Sequence, residues 1–222
     1  MPNIDIQFSF NEDDILQVSA ECSGIDARTI QLNINETNDP DEIFLSSGPS
    51  AVVLCIDVSG SMSGHPIEQA KKAATAYINK KSGSGAMIGC TAFGSSAATV
   101  FPLLKDISSM LAGIDKIKMG YETCGGGTNM EKGLRQSIPM LDEKIKGFNK
   151  QIIILSDGYT SGNVRSLIPT CMECSITVHT VGAGGGYDRA LLEEIATKTG
   201  GMFVAADNID NLVEAFLSLA EK

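Results

Sequence analysis

The strongest constraint on the fold is a series of short apolar runs that alternate with stretches of helical periodicity. Residues 51–56 and 152–155 are continuous apolar runs, which are typical of strands buried on both faces of a parallel sheet. Between them, apolar residues recur at helical spacing over residues 67–78. This alternation predicts a parallel sheet covered by helices. The apolar runs are far shorter than the roughly 18 residues of a membrane-spanning helix, so we expect no membrane span.

Residues 49–222 divide into six predicted strands and about six predicted helices. Strands 87–93 and 97–104 are separated by the tight turn Gly94-Ser95-Ser96, which predicts one antiparallel hairpin in an otherwise parallel sheet. The other predicted strands are 51–56, 151–156, 175–181 and 202–205, and the helices are 67–78, 107–117, 129–141, 164–171, 189–199 and 209–220. The predicted fold class is therefore α/β, with a doubly wound, mostly parallel six-stranded sheet.

Residues 1–48 differ from the rest of the chain in pattern and in charge. They hold ten acidic residues and one basic residue, whereas residues 49–222 hold 17 acidic and 16 basic residues. Three segments alternate apolar and polar positions, which predicts a small antiparallel sheet with one face in water: residues 4–10, 15–20 and 30–34. We therefore expect a β-strand appendage with an acidic linker at 1–48 and an α/β domain at 49–222. The acidic stretch 39–42 is interpreted as a solvated linker, and a docking strip for basic partners is the alternative.

Composition narrows the classes of function. The formal net charge of −10 repels phosphate backbones and argues against nucleic-acid binding. Six cysteines in 222 residues are too few for a disulfide scaffold, and the N-terminus lacks the basic and apolar regions of a secretory signal. We therefore expect a reducing, cytoplasmic location. Cys171 and Cys174 have the spacing of half a zinc site, but no second pair or nearby histidine completes four ligands, so a structural role is preferred.

Five oxygen-bearing side chains follow the predicted buried strands and a glycine loop: Asp57, Ser59, Ser61, Thr128 and Asp157. Ligands of open parallel sheets bind outside the carboxyl ends of the strands, where the strand order reverses, so we expect these residues to be neighbours. Hard oxygen donors without histidine or thiolate suit Mg²⁺, with Mn²⁺ or Ca²⁺ as alternatives. Because two carboxylates roughly balance a divalent ion, such a site can accept one more anionic oxygen from outside.

Serines at a strand-to-helix turn also raise the alternative of a Mg²⁺-dependent hydrolase or phosphatase. The Gly-x-Ser-x-Gly context of hydrolase nucleophiles is absent around Ser59 and Ser61, and only His65 and His179 are available as a base. A phosphatase with an aspartate nucleophile needs a second acid two residues later, where this chain has Ser59. The glycine-rich segment 182–186 lacks the context of a dinucleotide loop. We therefore expect no enzyme activity.

One pattern resembles the metal-ion-dependent adhesion site of von Willebrand factor type A domains: Asp57-x-Ser59-x-Ser61, Thr128 in a Gly-Gly-Thr-Asn context, and Asp157 in a Ser-Asp-Gly context. The resemblance extends over the whole α/β domain. It implies that Ser59, Ser61 and Thr128 bind a divalent cation through their hydroxyls, directly or through water. It implies that Asp57 and Asp157 act through water or hold the serines, and that a carboxylate of a protein partner completes the octahedron.

The alternating segments of the appendage resemble the last strands of the substrate-binding β-domain of 70 kDa heat-shock chaperones. The similarity rests on residues 4–10, 14–20, 30–34 and 37–39. It lacks the strands that form the peptide cleft of that family, so it does not imply peptide binding. It implies that the chain is a piece of a longer, chaperone-like protein.

These patterns together predict a divalent-metal-dependent protein–protein interaction module. The ion would coordinate an Asp or Glu carboxylate of the partner, and the loops 63–66, 121–128 and 159–163 would supply specificity. We expect Met62, next to the serines, to be partly exposed and to contact the partner.

Overall fold

The computed structural model describes residues 4–10, 16–22, 28–30, 49–141 and 147–220, and for the first three ranges it describes the backbone. The chain divides into two compact units, Met1–Gly48 and Pro49–Lys222.

The N-terminal unit contains a three-stranded antiparallel sheet in the order β1-β2-β3. Its strands are Ile4–Phe10 (β1), Leu16–Cys22 (β2) and Arg28–Ile30 (β3). The register pairs Phe8 with Val18, and Val18 with Ile30. The register therefore pairs apolar positions of the alternating pattern with one another across the strands. The predicted antiparallel pairing is confirmed, while the continuation of the third strand to residue 34 and the acidic stretch 39–42 lie outside the described residues.

The described part of the larger unit contains six strands and six α-helices. The strands are Ser50–Asp57 (β4), Met87–Phe93 (β5), Ala97–Leu104 (β6), Asn149–Ser156 (β7), Ile176–Ala183 (β8) and Phe203–Ala206 (β9). The helices are His65–Lys81 (α1), Ile107–Asp115 (α2), Met130–Ser137 (α3), Ile168–Glu173 (α4), Arg189–Lys198 (α5) and Leu212–Ala220 (α6). Every predicted strand of this unit is present.

The sheet has the strand order β6-β5-β4-β7-β8-β9. All neighbouring strands are parallel except β5 and β6, which form the predicted antiparallel hairpin. Strand β4 has β5 on one side and β7 on the other, so the direction of winding reverses at β4. A crevice therefore opens between the carboxyl ends of β4 and β7. The predicted doubly wound, mostly parallel α/β fold is confirmed.

Strand β4 separates two hydrophobic layers. Val52, Leu54 and Ile56 pack in the layer of helices α1, α2 and α6, whereas Val53 and Cys55 pack in the layer of α3, α4 and α5. All five side chains are fully buried. Successive side chains of a strand point to opposite faces, so a strand covered on both faces needs the unbroken apolar run that the sequence shows. This two-sided packing fixes the position of the residues that follow the strand.

Several helices are shorter than their periodicity predicts. The predicted helix 129–141 is α-helical only to Ser137 and continues as a 3₁₀ turn over Ile138–Leu141, because Pro139 lacks the N–H that another α-helical hydrogen bond needs. The predicted helices 164–171 and 209–220 begin as 3₁₀ turns. Within the described ranges, no helix has both the length and the apolar character required to cross a membrane.

Candidate metal centre

The crevice brings together the carboxyl ends of β4 and β7. Asp57 is the last residue of β4, and Asp157 directly follows Ser156, the last residue of β7. The parallel register pairs Ile56 with Leu155, so the two strands end at the same level. The sheet therefore delivers both predicted acidic residues to one edge.

A chain of hydrogen bonds connects the serines to both carboxylates. The Ser61 hydroxyl donates to Asp157 Oδ1 at 2.7 Å, and the Ser59 and Ser61 hydroxyl oxygens lie 3.1 Å apart. The Ser59 N–H donates to Asp57 Oδ1 at 2.9 Å. The 3₁₀ turn Gly60–Met62 follows Ser59 and brings the two hydroxyls within reach of each other. Four of the predicted residues thus form one continuous network.

Asp57 forms the buried floor of the site. Its side chain is 0% exposed, and its Oδ2 accepts a hydrogen bond from the Ser156 hydroxyl at 2.8 Å. Burial raises the pKa of Asp57 to about 6, although the hydrogen bonds from Ser59 and Ser156 lower it. Burial also raises the pKa of Asp157, although the hydrogen bond from Ser61 lowers it. Both carboxylates are therefore harder to ionise than carboxylates in water.

Thr128 reaches the same crevice from the glycine loop. A Cβ built on Gly158 would lie 3.7 Å from Thr128 Oγ1 and 3.9 Å from Ser61 Oγ, so both hydroxyls lie beside the residue that follows Asp157. The N–H and the hydroxyl of Ser161 both donate to the Thr128 carbonyl oxygen, at 2.8 and 2.9 Å. The structure therefore places all five predicted residues around one crevice.

Gly94 allows the glycine loop to lie directly against the β5–β6 turn. The Asn129 N–H donates to the Gly94 carbonyl oxygen at 2.8 Å, and the Gly60 N–H donates to the Gly126 carbonyl oxygen at 2.9 Å. A Cβ on Gly94 would overlap the carbonyl oxygen of Gly125. A larger residue at position 94 would therefore displace the loop that carries the threonine.

The donor set fits a divalent cation. The five side chains offer only carboxylate and hydroxyl oxygens, the donors that Mg²⁺, Mn²⁺ and Ca²⁺ prefer. Among the described residues, no lysine, arginine or histidine forms an ion pair with Asp57 or Asp157, so the buried negative charge lacks a cationic partner. The described part of the chain has no group of three His, Cys, Asp or Glu side chains that could hold a metal, around Cys171 and Cys174 or elsewhere. A metal bound here would depend on the hydroxyls.

Two residues differ from what the sequence indicates. Ser156 has no predicted role, yet its buried hydroxyl donates to Asp57. The available signal is a serine at the end of an apolar buried strand, because a buried hydroxyl needs a polar partner. The expectation that Met62 is partly exposed is wrong. Met62 is fully buried in the layer of α1, α2 and α6, because the 3₁₀ turn that contains it packs on α1.

The two histidines have partners other than the serines of the site. His65 Nε2 lies 2.8 Å from Asp210 Oδ1. His179 is buried on β8, where its Nδ1 accepts a hydrogen bond from the Met202 N–H at 3.1 Å, and burial lowers its pKa to about 4. The described structure therefore contains no serine–histidine pair at this crevice.

Residues 51–217 match the family model of the von Willebrand factor type A domain. Calcium-activated chloride channel regulator 1 from Equus caballus is 29% identical over 184 residues, which make up 80% of this chain and 20% of that protein. The uncharacterized protein sll0103 from Synechocystis is 25% identical over 180 residues, 78% of this chain and 41% of that protein. The chain thus spans less than half the length of these relatives.

Solved structures share the fold at lower identity. A von Willebrand factor type A protein from Catenulispora acidiphila aligns with a TM-score of 0.69 and 19% identity, over 100% of this chain and 50% of that chain. Proximal thread matrix protein 1 from the mussel byssus, with its MIDAS (metal-ion-dependent adhesion site) motif occupied by zinc, aligns with a TM-score of 0.66 and 20% identity, over 78% of this chain and 47% of that chain. Because the family model matches most of the chain, the protein belongs to the von Willebrand factor type A domain family.

Proposed function

We propose that the larger unit is a divalent-cation-dependent protein-interaction module whose ion coordinates a carboxylate of the partner. The observation that carries this proposal is the network in which Asp157 accepts from Ser61, Ser61 contacts Ser59, and Asp57 lies behind them. The network lies in the crevice where open parallel sheets bind ligands. The two carboxylates give this set of oxygens a negative charge that favours a bound cation. Because the rim of the site is exposed, the cation can also bind a ligand from outside.

The five residues have distinct parts in this proposal. The hydroxyls of Ser59, Ser61 and Thr128 would hold the ion, directly or through water. The carboxylates of Asp57 and Asp157 would supply the charge and orient the serines, as their hydrogen bonds already do. Mg²⁺ is the proposed ion because the set consists of hard oxygens, and Mn²⁺ and Ca²⁺ are the alternatives. The zinc-occupied MIDAS of the mussel protein supports a metal at the same motif in this fold.

The charge balance explains why a partner would contribute a carboxylate. Two aspartates neutralise a divalent ion, so an added carboxylate meets no large excess of negative charge. An Asp or Glu of the partner would replace a water on the ion and gain a strong electrostatic contact in a partly desolvated site. The bound ion supplies this contact, and no covalent chemistry is required of the serines. We therefore propose binding rather than turnover, with no enzyme activity.

Calorimetric titration of Mg²⁺, Mn²⁺ and Ca²⁺ into chelator-treated protein tests the metal site. We expect saturable binding of one ion per chain, lost in Asp157→Ala and in Ser61→Ala, and kept in Ser63→Ala, a matched serine variant outside the set. Circular dichroism of the chelated protein should show a folded domain. Unfolding on chelation, or equal binding by all variants, would contradict the proposal.

We propose the division into an appendage at 1–48 and an interaction domain at 49–222, a cytoplasmic location, and no binding of nucleic acid. The antiparallel pairing of β1, β2 and β3 is compatible with the chaperone-like interpretation of the appendage. Expression of residues 49–222 alone tests the division, because an independent domain should keep its metal affinity.

A further inference from the structure

A cleft of about 620 Å³ is formed by the loop that precedes the glycine loop of the candidate metal centre. Its lining residues are Lys116, Lys118, Gly120, Tyr121, Glu122 and Thr123. The Gly120 N–H donates to the carbonyl oxygen of Val58, the residue directly after Asp57, at 2.8 Å. On the other side, Thr123 leads into the glycine loop that carries Thr128. The loop that lines the cleft is therefore hydrogen-bonded to the residue between Asp57 and Ser59, and it continues into the loop that carries Thr128.

The charges in the cleft are mainly positive and lack partners. Lys116 and Lys118 line it together with a single acid, Glu122. Among the described residues, the ammonium groups of Lys116 and Lys118 make no hydrogen bond or ion pair. By contrast, the Lys132 ammonium donates to the Ser95 carbonyl oxygen at 2.9 Å. The cleft thus offers two cations to an outside ligand.

The loop that forms the cleft is anchored at both ends. Tyr121 and Cys124 are buried, and the Cys124 N–H donates to the Tyr121 carbonyl oxygen at 2.8 Å. Between these anchors, Glu122 and Thr123 have φ values of 46° and 62°, which are unfavourable for residues with a Cβ and especially for a β-branched one. Such strain persists where the surroundings impose it, and it concentrates at functional sites. A ligand would therefore meet a preformed surface, which lowers the entropy lost on binding.

We propose that this cleft binds a second acidic side chain of the segment that reaches the metal. The occupant is an extended protein segment with two carboxylates, one on the ion and one beside Lys116 and Lys118. This inference rests on the proposed function, because the first carboxylate needs the metal. The cleft then selects acidic segments with two correctly spaced charges over segments with a single acid.

The test selects ligands without assuming their sequence. A displayed library of random 12-residue peptides is bound to the full chain in Mg²⁺ and eluted with EDTA, and the affinities of eluted peptides are measured by fluorescence anisotropy. We expect the eluted peptides to share two acidic positions. Replacing the second acid by its amide should weaken binding about twofold to twentyfold, the range of one or two partly exposed ion pairs.

A pair of double variants connects this loss to the cleft. Lys116→Gln combined with Lys118→Gln should weaken binding of the two-acid peptides by the same factor. This loss of affinity should not add to the loss caused by the amide in the peptide, because both changes remove the same contact. The control, Lys72→Gln with Lys105→Gln, removes the same charge from exposed positions outside the cleft and should change affinity less than twofold. Calorimetric Mg²⁺ affinity should be unchanged in both.

The remaining outcomes separate the two proposals. Eluted peptides that share only one acidic position, or two-acid peptides that bind the Lys116/Lys118 variant as tightly as the wild type, would overturn the cleft proposal and leave the metal-dependent function intact. If Mg²⁺ binds but EDTA elutes no peptide, recognition of a carboxylate fails, and the cleft proposal fails with it. If calorimetry shows no ion binding, the metal site itself is refuted.

Discussion

Asp57→Asn measures the energetic cost of a buried charge in the metal-free site. Asp57 is fully buried, and burial raises its pKa from 3.8 to about 6. A group with a higher pKa in the folded state stabilises the fold while it is protonated, and this contribution disappears as the pH rises through the folded-state pKa. In the absence of metal, the wild type should therefore lose stability between about pH 4 and pH 6.

The magnitude follows from proton linkage. Each pKa unit corresponds to about 1.4 kcal/mol, so ionised Asp57 should lower the free energy of unfolding by about 3 kcal/mol above pH 6. Asparagine keeps an oxygen that can accept from the Ser59 N–H and carries no charge. The Ser156 hydroxyl can rotate to accept from the new amide. Asp57→Asn should therefore not show the loss of stability that the wild type shows as the pH rises.

Urea unfolding in EDTA from pH 4 to pH 8 provides the assay. The free energy of unfolding of Asp57→Asn minus that of the wild type should rise by about 3 kcal/mol and level off near pH 7. Asp106→Asn is the control, because hydrogen bonds with Ser109 lower the pKa of this exposed helix-capping aspartate. Asp106 is therefore ionised in both states over most of this range, and the free-energy difference for Asp106→Asn should change little between pH 4 and pH 8. Adding Mg²⁺ should stabilise the wild type and leave Asp57→Asn unchanged. If the difference between Asp57→Asn and the wild type did not change with pH, the reasoning would be refuted.

Three further predictions concern single side chains around the site and in the core. Gly94→Ala should lower the free energy of unfolding by at least about 2 kcal/mol and weaken Mg²⁺ binding. Gly126→Ala, in the glycine loop that Gly94 contacts, should do neither, because nothing lies within 4 Å of a Cβ at that position. Equal effects of the two variants in thermal unfolding would contradict the packing argument. Ser156→Ala should cost about 1 to 3 kcal/mol, since it removes a hydrogen bond to a buried carboxyl group, and it should weaken Mg²⁺ binding by calorimetry; unchanged affinity would count against a positioning role. His179→Gln should remove a pH dependence of the free energy of unfolding. Burial lowers the pKa of His179 to about 4, so the wild type should lose about 3 kcal/mol of stability as the pH falls from about 6.5 to 4. Parallel acid-unfolding curves for the variant and the wild type would show that this histidine is not buried in the neutral form.

The fold could be predicted from the sequence where burial dictates composition. Strand β4 shows this most clearly, because a strand covered on both faces must be apolar at every position. Residues 51–56 are all apolar, and they pack into both hydrophobic layers. Helix boundaries were less predictable, because the periodicity around Ile138 continues past Pro139 while the α-helical hydrogen bonds end at Ser137. Periodicity records which face is buried, and it contains little information about the hydrogen bonding of the last turn.

The candidate site was partly predictable for a similar reason. Asp57 and Asp157 end neighbouring strands, and the topology of a doubly wound sheet brings such residues to one edge. The roles of Ser156 and Gly94 depend on contacts with distant segments. A serine at the end of a buried strand signals a polar partner but does not identify Asp57 as that partner, and no local pattern shows that Gly94 lies against the glycine loop. The same is true of Met62, which lies next to the serines in sequence but packs into the core.

The hydrogen bonds of the crevice connect distant parts of the chain, and this has a consequence for folding kinetics. Ser156 and Asp57 are 99 positions apart, and Ser61 and Asp157 are 96 positions apart. Contacts of such separation form only after a long loop has closed, which makes them slow to appear. No single segment contains the complete set of oxygens, so an ion would gain most of its binding energy after β4 and β7 have paired. Interactions that are absent from the transition state slow unfolding without speeding folding. A bound ion should therefore lengthen the lifetime of the folded domain and leave its folding rate nearly unchanged.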